Sequence, residues 1–214
     1  MLSAVNIVEL LTKGLSKETA VMLHGTSIET AFILFETGTL PTGRPYKSLR
    51  NHLFFAPIGE KLRGHKYYRR YRKWTFEDAL DEAKGYAKMH GTHQCISNAL
   101  MTEGVDARYV DKIVLAWEEG FSTKGIPREG VRKAEALEED WWDKTRAEAY
   151  KRKGVVIAAN EAILNLKFSI EPEAIGDLRV HCPTGLNASY IYGIKPIGQR
   201  EKKLLEDYLS KREF

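Results

Sequence analysis

Residues 19–38, TAVMLHGTSIETAFILFETG, constrain the fold more than any other part of the chain. An apolar stretch ending in His24 reads as a short buried strand over residues 19–24, and Gly25-Thr26-Ser27 breaks it. Thr26 followed by Glu29 has capping-box spacing, in which each side chain satisfies a backbone donor that the first helical turn leaves unpaired. The helix that follows, from Ser27 or Ile28, stops at Gly38 and carries Ile28, Ala31, Phe32 and Phe35 on one face. Such a face needs a sheet to pack on, so the unit predicts layers of strands and helices.

The rest of the chain supplies those layers. Residues 3–13 read as a short amphipathic helix stopped by Gly14, and residues 39–50, with Pro41, Gly43 and Pro45, as a loop. Strands are predicted at 52–57, 113–117, 155–159, 178–182 and 188–194. Helices are predicted at 75–90, with Thr75 as N-cap, at 128–153 and at 200–212. In the charged helix at 128–153, Trp141 and Trp142 read as packing anchors. The expectation is one α+β domain over residues 1–214, with a helical insertion around 118–153. At 214 residues and 43% hydrophobic content the chain has ample material for a core.

Several classes are excluded on composition. No apolar run approaches the roughly 18 to 20 residues of a membrane span. The N-terminal segment lacks a basic region before a long apolar one, so it does not read as a secretory signal. Cys95 and Cys182 are the only cysteines, too few for a disulfide framework or a four-cysteine zinc site. A reduced, cytoplasmic location is expected.

Charge is concentrated in one place. Residues 61–73, KLRGHKYYRRYRK, hold seven Lys or Arg and no acid, while the whole chain carries a formal +4, so the remainder is net acidic. Such a run can be a solvated surface or a nucleic-acid contact. In the second case Lys61, Arg63, Lys66, Arg69, Arg70, Arg72 and Lys73 would neutralise phosphates. Tyr67, Tyr68 and Tyr71 would offer stacking faces to bases.

Common catalytic signatures are missing: no G-x-x-x-x-G-K-[ST], no G-x-G-x-x-G after a strand, no H-E-x-x-H and no G-x-S-x-G occurs. His90 and His93 could share a helix face as metal ligands, but only Cys95 lies near at ligand spacing, and no metal is expected. That leaves His24, at the end of a rigid strand. Gly25 beside it would allow a ligand to approach the backbone, and Thr26 supplies a hydroxyl. A core histidine before a helix cap is the alternative.

The stretch from His24-Gly25-Thr26 to Gly38 resembles the first motif of the ADP-ribosyltransferase superfamily, in the diphtheria-toxin-like branch that includes the poly-ADP-ribose polymerases. Leu53-Phe54-Phe55-Ala56 resembles that branch's second motif, with Phe54 at a tyrosine position, and Ala83 and Tyr86 resemble the pair on its following helix. Asp177-Leu178-Arg179-Val180-His181, followed by Ser189-Tyr190-Ile191-Tyr192, resembles the third motif, with Asp177 in place of glutamate. The three motifs touch about a third of the chain, and the triad reads His24, Phe54, Asp177 where the family has His, Tyr, Glu.

This resemblance implies a split, curved antiparallel sheet with flanking helices, binding NAD as co-substrate. His24 would bond a ribose hydroxyl, Gly25 and Thr26 would hold the nicotinamide amide, and Phe54 and Tyr86 would sandwich its ring. Asp177, or Glu171 or Glu173 from the preceding loop, would stabilise the oxocarbenium-like state as nicotinamide leaves. ADP-ribose would then pass to nucleic acid, reached through the basic run, or to protein. Two alternatives share the fold. One is an NAD-dependent RNA 2′-phosphotransferase, whose second motif His52-Leu53 partly resembles and for which Arg44 and Arg50 lie nearby in sequence. The other is a non-catalytic protein that binds NAD, ADP-ribose or nucleic acid.

Overall fold

The computed structural model describes residues 2–42, 51–118, 120, 122–170 and 178–211. Its strands are β1 (Met22–Thr26), β2 (Thr39–Leu40), β3 (His52–Pro57), β4 (Val155–Ala159), β5 (Phe168–Ile170), β6 (Leu178–His181), β7 (Leu186–Asn187) and β8 (Ile191–Pro196). Six of them form one antiparallel sheet in the order β5-β6-β3-β1-β4-β8, and β2 pairs with β7 alone. The helices are α1 (Ala4–Lys13), α2 (Ile28–Thr37), α3 (Tyr68–Tyr71), α4 (Phe76–Thr102), α5 (Ala107–Glu118), α6 (Arg128–Glu135), α7 (Glu139–Ala149) and α8 (Gln199–Ser210).

Strand alternation sorts the core into layers. Met22, Phe55, Val155, Ile157 and Val180 point to one face, where Ile7 of α1, Leu34 and Phe35 of α2 and Leu205 of α8 cover them. Leu23, Ala56, Val156 and Ala158 point to the other, against Ala79, Ala83 and Ala87 of α4. Alanines on the helix let it approach closely, and Gly25 makes this possible on the strand. A Cβ at Gly25 would stand 1.8 Å from the Ala83 carbonyl oxygen and 2.5 Å from the Ala87 nitrogen. The far half of α4, with α5, α6 and α7, encloses a second core of Ile96, Leu100, Val110, Ile113 and Val114.

Five expectations need correction; the shortest is at 188–190, expected as strand and found as a 3-10 turn before β8. The strand expected at 113–117 is helical, within α5, because Val110, Ile113 and Val114 recur at helical spacing and are buried together. A short apolar run alone does not distinguish the two structures. The helix expected over 128–153 is two helices, α6 and α7, separated where Leu137 turns into the second core. The cap of α2 is Ser27, whose side chain accepts from the Thr30 nitrogen at 3.2 Å; Thr26 is still paired with Val155 in the sheet and cannot turn into a cap. The loop expected from residue 39 begins with the short ladder of β2, while residues 43–50 lie outside the described ones.

The helix expected at 75–90 is present and longer. Thr75 and Asp78 form a reciprocal capping box, and the helix runs through Gly91 to Thr102. Gly91 does not end it, because Arg152 packs there and a Cβ would come within 3.1 Å of the arginine Cβ. Trp141 and Trp142 do pack: Trp142 meets Trp117 edge-on at 4.6 Å, and both line the second core. Among the described residues no helix is long and apolar enough to cross a membrane.

Candidate functional site

The six-stranded sheet is nearly divided between β1 and β3. These strands share only Met22↔Pro57 and Leu23↔Ala56, continued by one bond from the Ile58 nitrogen to the Val21 carbonyl. Beyond that point His24, Gly25 and Thr26 pair with β4, while His52 to Phe55 pair with β6. His24 stands where the strands part. Its Nδ1–H donates to the Phe54 carbonyl at 2.7 Å, so a side chain bridges the backbones where the ladder stops.

That bond fixes the tautomer. With the proton on Nδ1, Nε2 is an acceptor suited to a hydroxyl. His24 is 7% exposed, and its ring lies 5.2 Å from the ring of Phe55. Burial pushes the imidazole down to about 4, against an upward pull from the Phe54 bond, so His24 is neutral at pH 7.

The glycine beside it closes one side of the strand. Its neighbours are the Ala83 and Ala87 backbones, so Gly25 makes room for α4 rather than for a ligand on that face. The same helix carries Tyr86, half-buried, and His90, whose rings stack at 6.4 Å between centroids. His90 is exposed, and the surrounding protein, then His24 and His93, lower its pKa from the ordinary value.

Phe54 points to the α4 side of the sheet, half-buried, with the Arg179 guanidinium over its ring at 5.2 Å. One face of that ring thus already meets a cation. Arg179 belongs to a row that the sequence did not reveal. Ser169 pairs with Arg179, Arg179 with Phe54, and His181 with His52, whose Nε2 lies 3.4 Å from His181 Nδ1. The only sequence signal is the alternation in Leu178-Arg179-Val180-His181, and the register that joins it to β3 has no local signature.

Asp177, Glu171, Glu173, Arg44 and Arg50 lie outside the described residues. Among the described residues, no three His, Cys, Asp or Glu side chains gather where a metal ion could be held.

The basic segment divides by residue type. Arg63, Lys66, Arg69, Arg70, Arg72 and Lys73 are exposed, and Lys61 is half-buried, bonding the Glu18 carbonyl at 2.6 Å. The tyrosines turn inward. Tyr71 is 1% exposed in the main core, edge-on to Trp74, so it cannot serve as the base-stacking contact expected of it. Tyr67 donates its hydroxyl to the Phe168 carbonyl at 3.1 Å, and the His65 ring meets Phe168 edge-on at 5.2 Å. Together they fasten the segment to β5.

Compared with protein-family models, curated proteins and solved structures, the chain matches none.

Proposed function

We propose that the protein binds NAD at the divergence of β1 and β3 and transfers ADP-ribose from it to a macromolecular acceptor, releasing nicotinamide. The observation that carries this reading is the His24–Phe54 bond across the split. It sets a neutral imidazole, of fixed tautomer, where the two strands part. Nε2 accepts from a ribose hydroxyl, and neutrality avoids repelling the pyridinium of NAD. Tyr86, half-buried on α4, supports the reading by offering a ring to the nicotinamide, and Phe54 offers the face opposite Arg179. Gly25 and Thr26 supply backbone groups at the strand end. The carboxylate role falls to Asp177, with Glu171 and Glu173 as the other candidates.

Nicotinamide release from labelled NAD tests this, with and without RNA or DNA. We expect wild-type release, and a loss of about a hundredfold in both His24→Ala and Asp177→Ala, the scale on which mispositioning acts. Release requiring RNA that bears a 2′-phosphate would establish the phosphotransferase instead. NAD binding without release, abolished in His24→Ala, would establish a non-catalytic binder, and no binding would overturn the reading.

A further inference from the structure

We propose that the outer side of residues 62–73 is a docking surface for double-stranded nucleic acid, held by its phosphates and not by its bases. The segment winds through successive three-residue turns. The backbone nitrogens of His65, Tyr68, Arg70 and Trp74 donate to the carbonyls of Leu62, His65, Tyr67 and Tyr71, each three residues back. Side chains three apart line up in such turns, and burial follows that period. Leu62, His65, Tyr68 and Tyr71 are buried or half-buried, while Arg63, Lys66, Arg69 and Arg72 are exposed. The outward row is a cation at every turn, and among the described residues no acid pairs with any of the four. Three further cations stand outside it. Lys61 bonds the Glu18 carbonyl, Lys73 lines a cleft with Asp78, Asp81 and Glu82, and Arg70 lies over the Tyr71 ring.

The backbone that carries the row is fastened at both ends. Tyr71 is buried in the main core, and Tyr67 bonds the Phe168 carbonyl. The Gly59 nitrogen donates to the Trp74 carbonyl at 2.8 Å, and a Cβ at Gly59 would stand 2.0 Å from the Tyr71 carbonyl oxygen. A row of charge fixed in this way gives up little conformational freedom when it meets a fixed line of phosphates.

The surroundings of the row select the partner. The exposed large hydrophobic residues are Val5, Val8, Ile33, Met101 and Tyr150, and none of them lies in this segment to anchor a lipid or a protein. Single strands are held by stacking on aromatic rings. Here Tyr71 and Tyr68 pack into the main core and Lys66 sits over Tyr67 at 4.9 Å, so the tyrosines are turned inward or covered. Charge alone remains, and it favours the form with the most phosphates per unit length. A duplex carries one negative charge per about 1.7 Å, twice the density of a single strand. The helix Tyr68–Tyr71 has four residues, too short to read a groove, so binding is independent of sequence. No residue proposed to hold NAD takes part, and the surface stands apart from the transferase reading.

The test is fluorescence anisotropy without NAD, using a DNA duplex of about 20 base pairs, an RNA duplex of the same sequence and one unpaired strand. We expect the duplexes to bind about tenfold more tightly than the strand, with a logarithmic salt dependence of slope about −4, close to one counterion per cation of the row. Lys66→Gln with Arg69→Gln should weaken duplex binding about tenfold and take about 2 from the magnitude of that slope. Lys203→Gln with Lys211→Gln, which removes equal charge from α8 and its C-cap, should leave both unchanged. All four positions are exposed, so both double variants should melt as wild type. Binding of both duplexes, or of one alone, supports the surface and names its source. A strand bound as tightly as either duplex, an equal loss in the two double variants, or capture of phosphatidylserine vesicles without duplex binding would overturn it. Because NAD is absent and its proposed residues are unchanged, a failure to release nicotinamide leaves this result standing, and loss of duplex binding leaves the NAD reading standing.

Discussion

His24 shows how a single residue ties stability to function. Its imidazole titrates at about 4 in the folded protein, against an ordinary value of 6.5. Between those values the unfolded chain binds a proton that the folded one refuses. The stabilisation is therefore complete above about pH 6.5 and is lost as the pH falls toward 4, amounting to about 3 kcal/mol. Urea midpoints measured from about pH 7 down to pH 5 should fall in wild type, and His24→Gln should make that slope shallower. The sequence made His24 conspicuous, because a polar residue ended an apolar strand. It could not reveal the partner, since the Phe54 carbonyl arrives from a strand thirty residues away. The cap of α2 shows the same limit on a smaller scale. Thr26 and Ser27 both have capping chemistry, and pairing with Val155 decides between them. Ser27→Ala should cost about 1 kcal/mol in thermal unfolding, as loss of a cap does.

At the scale of elements, the contact between α4 and β1 depends on missing side chains. Gly25→Ala would put a methyl 1.8 Å from a backbone oxygen that cannot swing aside. We expect a loss of about 3 kcal/mol or more in chemical denaturation, above the usual cost of overpacking, because the obstacle is backbone. Gly85, on the same helix with nothing within 4 Å of its Cβ position, predicts the opposite. Gly85→Ala should stabilise by about 0.5–1 kcal/mol, since helix propensity is its only consequence. Most elements were legible from periodicity: α1, α2, β3, β4 and α8 fall within a residue or two of expectation. The longest stretches misread, at 113–117 and 128–153, lie in the helical layer, where burial against other helices replaces the sheet as the organising surface.

At the scale of the whole molecule, two cores share one helix. The layer on Gly25 uses the first half of α4, and the second core uses Ile96 and Leu100 beyond Gly91. A cavity made by Leu100→Ala should cost about 2–5 kcal/mol. By hydrogen exchange the loss of protection should be greatest in α5 to α7 and least in β1 and β4. The candidate site, too, is a property of this scale. His24, Tyr86 and Arg179 come from three separate stretches, and strand order alone brings β6 beside β3 and β3 beside β1. The seam at β1 and β3 also has a mechanical meaning. With five residue pairs joining β1 to β4 but two joining β1 to β3, a load drawn across the sheet concentrates on Met22, Leu23 and the His24 tether. Pulled from opposite edges, the sheet should tear along the line where the ligand is proposed to enter, and a ligand gripping both halves would act as a rivet.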